Sequence, residues 1–291
     1  MKKWIYLISL SLIWGTSFIL IKKALIGLTP TQLGSLRIIF SSIIIFIFAW
    51  NTLKLISKKE WKWIIISAFL GSFFPAFLFA FAETEIDSSV ASILNSLVPL
   101  NTVIIGAIVF KIASSKKQII GVVVGLIGTY LLIDGGIQLN PDQNYLYAGL
   151  VILCSFLYGF NVNIIKKYLN DIPAVTIAAG HFSVIFIPAI IIFYFSGFNT
   201  DQMYDPITLK SIGYVLILSA FGTALAKVLF NKLVQISTAV FASSVTYSLL
   251  IVSLFWGILD GELFSFNQLM ATALIVLGVL LSSRKPRQSL D

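Results

Sequence analysis

The chain has 291 residues, of which 58% are hydrophobic and 11% are charged, and its mean hydropathy is +0.97. Soluble domains carry about 25% charged residues, so this composition excludes an ordinary water-soluble protein and indicates an integral membrane protein in a lipid bilayer. The net charge of +8 is explained by Lys and Arg at the ends of membrane spans, and we expect no nucleic-acid partner.

Apolar stretches of the length that crosses a bilayer, about 20 residues, fill the sequence. The first, MKKWIYLISLSL, resembles a signal peptide, but no small-x-small cleavage site follows before Trp14, so we interpret it as an uncleaved span. The sequence therefore predicts an all-α integral membrane protein with ten transmembrane helices. They are placed at 4–22, 31–50, 62–82, 88–110, 117–134, 145–165, 173–196, 209–230, 236–259 and 265–283.

The distribution of basic residues predicts the orientation. With the N-terminus in the cytoplasm, nearly all Lys and Arg residues fall in inside loops, whereas most Asp and Glu residues fall in outside loops. Only Lys22, Lys23 and Lys210 break this pattern. The bias of Lys and Arg sets membrane orientation, so we expect a multi-pass protein of the plasma membrane with both termini cytoplasmic.

The two halves of the sequence are similar to each other at corresponding positions. The segment 14–23 aligns with 158–167, and Pro30 followed by Arg37 aligns, with one shift, with Pro173 followed by His181. Each half holds five predicted spans, so the halves would enter the membrane from opposite sides. We therefore expect two inverted five-helix repeats, at 1–142 and 143–291, as in many secondary transporters.

Several short motifs occur in the order of a known transporter family. They are Trp14-Gly15-Thr16-Ser17-Phe18 with Lys22, then Pro30, Leu36-Arg37-Ile38, Pro99, Gln118-Ile119-Ile120-Gly121 with Gly125, and Gly261-Glu262-Leu263 with Gln268. With them the whole chain resembles the EamA-like family of the drug/metabolite transporter superfamily. The resemblance implies an exporter or exchanger of metabolites, amino acids or drugs.

One departure from the family pattern concerns the first half. The family usually repeats the Gly-Glu element after the fourth span, but Lys111-Ile112 stands here, with no acid. The role of that glutamate in relatives therefore cannot be carried over to the first half.

Small polar and aromatic residues recur in corresponding spans of both halves. Such side chains hydrogen-bond between membrane helices, or they line a polar cavity that would hold a small amphipathic solute, whose cationic form could lie on aromatic faces. The candidate substrate-binding residues, besides Arg37, are Trp14, Thr16, Ser17, Asn95, Tyr158, Asn161 and Tyr247.

Arg37 is the strongest single candidate for a substrate-binding residue. It lies seven residues after Pro30, about 10 Å along a helix at 1.5 Å per residue. A charge at this depth costs roughly 2.5–3.5 kcal/mol, so it normally faces a cavity or a partner. Arg37 would bind a substrate carboxylate with its guanidinium fork, or it would snorkel outward or pair with Glu83 or Glu85.

His181 is the single histidine of the chain and occupies the position that aligns with Arg37. Since histidine titrates near neutral pH, it is a candidate for proton coupling; the alternative is a neutral histidine that hydrogen-bonds between helices. The lysines Lys22, Lys23 and Lys227 are interpreted as snorkelling from span ends.

No enzyme is expected. The sequence contains one His and one Cys, which excludes the usual metal sets, and it has no Gly-x-Ser-x-Gly elbow and no Walker lysine loop. We expect no cofactor and no metal. Gly121, Gly125 and Gly128 suit close helix packing, with a homodimer contact as the other use.

Together these features predict a secondary transporter that moves a small metabolite, such as an amino acid or an amphipathic drug-like solute, by alternating access around a central cavity. Two alternatives stay open at this point: a flippase for a lipid or lipid-linked sugar, and a membrane sensor or scaffold that transports nothing.

Overall fold

The computed structural model describes residues 2–111, 116–139, 142–263 and 265–282, and these residues form helices joined by short turns. The α-helices are α1 (Lys2–Ala24), α2 (Pro30–Ala49), α3 (Lys58–Ala68), α4 (Phe74–Ala82), α5 (Ser88–Asn95), α6 (Val98–Ile108), α7 (Lys116–Leu139), α8 (Ala148–Tyr168), α9 (Ala174–Tyr194), α10 (Thr200–Tyr204), α11 (Pro206–Ile217), α12 (Ala226–Ile236), α13 (Ala239–Ser243), α14 (Val245–Leu259) and α15 (Phe266–Ser282).

Within the described ranges, eight helical stretches are long and apolar enough to cross a membrane. They are Lys2–Ala24, Pro30–Leu55, Lys58–Ala82, Ser88–Ile108, Tyr145–Tyr168, Ala174–Tyr194, Pro206–Ile236 and Ala239–Leu259. Two shorter apolar segments, Val123–Gly135 and Phe266–Gly278, lie in α7 and α15. The fold is thus that of a multi-pass helical membrane protein, and the count of ten spans stays a prediction.

Local sequence explains where the helices that carry Arg37 and its neighbours begin. Pro30 opens α2, the Thr29 hydroxyl accepts a hydrogen bond from the Gln32 backbone N–H at 3.2 Å, and the Gln32 side chain accepts one from the Thr29 N–H at 3.0 Å. This capping box satisfies backbone donors that the helix itself leaves unpaired. The Asp205 carboxylate caps α11 in the same way by accepting from the Thr208 N–H at 2.8 Å.

Two of the long helices contain a π-helical stretch. Phe69–Phe73 joins α3 to α4, and Leu218–Leu225 joins α11 to α12. A π-helical turn shifts the hydrogen bonding of the backbone from i−4 to i−5 and is frequent at functional sites. Two other spans are interrupted as well, α5–α6 at Ser96–Leu97 and α13–α14 at Ser244.

The helices of the two halves pack against each other in pairs. The α1 helix packs on α14, α8 packs on α6, α2 packs on α9, and α7 packs on α15. Glycines permit the last contact, because a Cβ atom on Gly128 would lie 2.8 Å from the Ile275 nitrogen. Gly125 and Gly128 therefore pack against α15 of the same chain, and contact with a second copy of the chain stays a prediction.

Candidate functional site

A cavity of about 100 Å³ lies between the helices of the two halves. Its lining mixes aromatic residues with polar side chains, and none of the described lining residues is Asp or Glu. The polar and aromatic members include Trp14, Ser17, Arg37, Phe79, Asn95, Tyr158, Asn161, Thr223, Lys227, Ser243 and Thr246. Small-solute sites are typically concave and mostly apolar with a few converging polar groups, and this cavity is of that kind.

The cavity brings together six of the eight residues predicted to bind substrate: Trp14, Ser17, Arg37, Asn95, Tyr158 and Asn161. The other two, Thr16 and Tyr247, are not among the lining residues. Thr16 instead accepts a hydrogen bond from the Trp256 indole at 3.1 Å, and Tyr247 packs against the buried core. Thr16 therefore joins α1 to α14.

Arg37 enters the cavity from α2, and its Nε donates to the Thr223 hydroxyl at 2.9 Å. In the described part of the chain, Arg37 forms no ion pair with Glu83 or Glu85, so that predicted alternative is not observed. A guanidinium carries five N–H donors, and this contact uses one of them.

Lys227 supplies a second basic side chain to the cavity. It is 6% exposed, and its Nζ donates to the Gly71 carbonyl at 3.0 Å. The interpretation of Lys227 as a snorkelling lysine is therefore wrong: α12 continues to Ile236, which places the amine inside the bundle. Lys227 follows Thr223 by about one helical turn, so the two basic side chains approach the same side of the cavity.

The π-helical stretches are completed by side chains of the opposite half. Lys227 caps the Gly71 carbonyl, and the Trp14 indole donates to the Gly222 carbonyl at 2.9 Å. The same two glycines allow close approach, because a Cβ on Gly71 would collide with the Asn161 amide and a Cβ on Gly222 would lie 2.6 Å from the Ser17 hydroxyl. The irregular turns thus shape the cavity wall.

A set of polar residues joins helix ends from both halves, and we name it the Glu262 cluster; it is composed of Lys22, Lys23, Ser88, Ser89, Asp260 and Glu262. It joins the end of α1, the start of α5 and the end of α14. Ile21, the residue before Lys22 on α1, lines the cavity, so α1 contributes to both the cavity and the cluster.

Glu262 is the centre of this cluster. One carboxylate oxygen accepts from Lys22 at 2.8 Å and from the Ser88 hydroxyl at 2.7 Å, and the other accepts from the Ser89 N–H at 3.1 Å and from the Ser89 hydroxyl. Burial opposes ionisation of Glu262, but the hydrogen bonds from Lys22, Ser89 and Ser88 outweigh it and hold its pKa below the ordinary value.

The lysines Lys22 and Lys23 thus have acidic partners, contrary to the prediction that they only snorkel. Lys22 contacts Asp260 at 3.0 Å, and Lys23 pairs with the same carboxylate. The sequence contains a signal for this, since both lysines and both acids are predicted for outside loops, but it does not show that these loops meet.

The comparison with known proteins now identifies the family. The model of the EamA-like transporter family matches residues 1–134 and 146–284. The chain belongs to the EamA-like transporter family. Membership, together with the apolar helices, makes it a multi-pass membrane transporter rather than an enzyme.

Proteins similar to this EamA-like chain are also named as transporters. It is 26% identical to "Uncharacterized transporter YdfC" of Bacillus subtilis over 92% of this chain and 86% of that one. It is 24% identical to an "Uncharacterized transporter" of Archaeoglobus fulgidus over 98% of this chain and 100% of that one. A solved crystal structure has the same fold, with a TM-score of 0.62 and 17% identity over 94% of this chain and 96% of that one.

His181 is not among the residues that line the cavity of this EamA-like chain. It is fully buried in α9, is not a lining residue, and neither ring nitrogen has a hydrogen-bond partner among the described residues. The alternative that His181 hydrogen-bonds between helices is therefore not observed, and its role in proton coupling stays a prediction.

The opposite end of the EamA-like bundle is joined by a different kind of contact. Lys166 of α8 donates to the carbonyls of Val234 and Gln235 at the end of α12, at 3.2 and 3.0 Å, and the Gln235 amide donates to the Ile172 carbonyl. These bonds go to backbone atoms and use no carboxylate. The two ends of the bundle are thus held by chemically different interactions.

Proposed function

We propose that this chain is a secondary transporter, an exporter or exchanger, for small metabolites that carry a carboxylate, such as an amino acid. The solute binds in the central cavity, which opens alternately to the two sides of the plasma membrane. The proposal is supported by membership in the EamA-like transporter family and by the mixed polar and aromatic lining of the cavity.

The observation that carries the choice of solute is the charge of the cavity. Arg37 and Lys227 both line it, and the described lining residues include no acid to neutralise them. Charges inside a membrane protein are costly and normally face a partner or a substrate pathway. A solute carboxylate supplies that partner, and the guanidinium of Arg37 has the planar fork that binds carboxylates with two hydrogen bonds.

The same lining disfavours an organic cation, which would meet the guanidinium of Arg37 and the amine of Lys227 and no acidic lining residue among those described. An amphipathic drug-like solute fits only if it carries an anionic group. The aromatic residues Trp14, Phe79 and Tyr158 offer apolar surface for the remainder of the solute. An amino acid meets both requirements, with its carboxylate at Arg37 and its side chain on these rings.

For alternating access, we propose ten spans arranged as two inverted repeats, at 1–142 and 143–291, with both termini cytoplasmic. The correspondence of contacts supports this arrangement. Gly71 packs on Asn161 and Gly222 packs on Ser17, and these four residues occupy related positions of the two halves. The lysine bias between loops supports the orientation.

The test is flux into liposomes that contain the purified protein. Radiolabelled amino acids, dicarboxylates and organic cations are compared for wild type, Arg37→Gln and Lys210→Gln; Lys210 is an exposed lysine of α11 that serves as the charge-matched control. We expect saturable flux of a carboxylate solute in wild type and Lys210→Gln, reduced at least tenfold in Arg37→Gln, the equivalent of about 1.4 kcal/mol.

Two results would contradict the proposal. Flux of an organic cation that survives in Arg37→Gln would overturn the carboxylate specificity. If no solute crosses while the protein stays folded, the sensor and the lipid flippase replace the metabolite transporter, and a flippase is then recognised by the movement of a labelled lipid between leaflets.

A further inference from the structure

A buried carboxylate without a hydrogen bond lies beside the Glu262 cluster. Glu83 follows the last residue of α4, is 6% exposed, and neither of its side-chain oxygens has a hydrogen-bond partner among the described residues. An unpaired charge in such a place is strongly disfavoured, so a carboxyl group there normally stays neutral by holding a proton.

Every charged group that faces Glu83 comes from a different element. Glu262, at the end of α14, repels a negative charge on Glu83, whereas Arg37 of α2 and Lys22 of α1 attract one. Both cations already have partners, Arg37 in Thr223 and Lys22 in Glu262 and Asp260. The C-terminal end of α4 adds the negative pole of the helix dipole.

Burial is the largest of these influences, and with the Glu262 carboxylate it raises the pKa of Glu83 well above the ordinary value, because Arg37 and Lys22 oppose it only in part. Glu262 behaves in the opposite way, since its hydrogen bonds keep it ionised. The pKa values of two neighbouring carboxyl groups are thus shifted in opposite directions, an arrangement typical of acid and base assignments at functional sites.

We propose that Glu83 is a proton-binding site of the transporter, occupied by a proton when the Glu262 cluster closes its end of the cavity and vacated when that end opens. The inference deepens the proposed function and rests on it where it concerns opening and closing. The proton site itself depends only on the buried carboxyl group.

The link between protonation and closure follows from hydration. Separation of α1, α5 and α14 would let water reach Glu83 and return its pKa toward the ordinary value. The closed form therefore binds up to one proton more than the open form, so acid favours closure and alkali favours opening. Over the pH range between the two pKa values, the ratio of open to closed molecules rises up to about tenfold per pH unit.

The first test detects the proton directly and needs no solute. Infrared spectra of the protein in lipid nanodiscs are recorded from mildly acidic to strongly alkaline pH, and the carbonyl stretch of a protonated carboxyl group is followed. We expect a band in wild type that persists at neutral pH, is absent from Glu83→Gln, and is retained in Glu85→Gln and Asp87→Asn. A wild-type protein without such a band at neutral pH would overturn the proposal.

The second test measures how often the cavity opens at the end next to the Glu262 cluster. A cysteine is placed at Ile21, a buried lining residue next to Lys22, in a Cys154→Ala background, and its reaction with a maleimide is normalised to the unfolded protein at each pH. We expect the normalised rate to increase with pH, by up to about tenfold per unit, in the background protein and in Glu85→Gln. In Glu83→Gln, which imitates the protonated state, the rate should stay low at every pH.

The outcomes separate the two proposals. A pH-dependent rate that Glu83→Gln does not change would overturn the assignment of Glu83, even if flux is measured. A protonated Glu83 with pH-dependent opening, in a protein that moves no carboxylate solute, would leave the proton site standing and refute only the choice of solute.

Discussion

Glu262 accepts a hydrogen bond from Lys22 at a distance of 2.8 Å, although the two residues are 240 positions apart. Through the same carboxylate, Glu262 also binds both the backbone and the hydroxyl groups of Ser88 and Ser89. One side chain thus joins the last turn of α1, the first turn of α5 and the turn after α14. Because α5 begins with these two residues, the carboxylate also lies at the positive pole of that helix.

The first prediction concerns removal of this carboxylate. Glu262→Ala leaves the buried donors of Ser88 and Ser89 without their acceptor and removes one of the two acidic partners of Lys22, which should lower the free energy of unfolding by about 2–4 kcal/mol. The ion pair contributes the smaller part, because Lys22 is 31% exposed. Thermal unfolding in detergent measures the loss. Glu85→Ala is the control, and an equal loss in both variants would show that the cluster contributes nothing specific.

The second prediction concerns acid. The pKa of Glu262 lies below its ordinary value of 4.5, so its contribution to stability is complete above that pH and is lost as the pH falls through the lowered pKa. Glu83 adds nothing to this loss, because its pKa is shifted in the opposite direction. We expect the melting temperature of wild type to fall more steeply below this pH than that of Glu262→Gln. Parallel curves for the two proteins would contradict the ionised state of Glu262.

The third prediction separates function from stability at Lys227. A buried amine that binds one carbonyl is costly, and Lys227→Met replaces it by an apolar side chain of similar length, so we expect an unchanged or higher melting temperature together with weaker solute binding. Binding is measured by the solute-induced shift in melting temperature. A marked drop in the melting temperature of Lys227→Met alone would instead make Lys227 a structural residue.

The fourth prediction concerns the glycines of the π-helical stretches. Gly71→Ala and Gly222→Ala would each push a methyl group into Asn161 or Ser17, and we expect a loss of about 1–3 kcal/mol in unfolding free energy from overpacking. Gly213→Ala is the matched control, because nothing lies within 4 Å of its added Cβ. Alanine is the better helix former, so this variant should be as stable as wild type or more stable.

The sequence predicts six of the residues that line the cavity but does not predict that Lys227 lines it. Polar residues inside apolar stretches pointed to Arg37, Trp14 and Asn161, since such positions need a partner in a membrane. Thr16 and Tyr247 are predicted to bind substrate but are not among the lining residues, and their role stays a prediction. The sequence of α1 does not define which of its faces turns inward.

The residues that were missed depend on tertiary contacts. Cutting the sequence at its charges ended the eighth predicted span at 230, although the helix continues to Ile236, and Lys227 was therefore assigned to a span end. The pairing of Lys22 with Glu262 joins the first span to the turn after α14, and no local pattern shows that these segments are neighbours. The sequence predicts that Glu83 lies in an outside loop together with Glu85. Only the burial of Glu83 in the structure distinguishes the two residues.

Each π-helical stretch is bound by a side chain from the other half of the chain, and this has a consequence for biogenesis. As the chain is synthesised, the Gly71 carbonyl is made 156 residues before Lys227, which binds it, and Trp14 is made 208 residues before its partner Gly222. The first half therefore remains incomplete until the second half has been inserted. Two separately expressed halves should accordingly be degraded when alone and accumulate only when they are produced together.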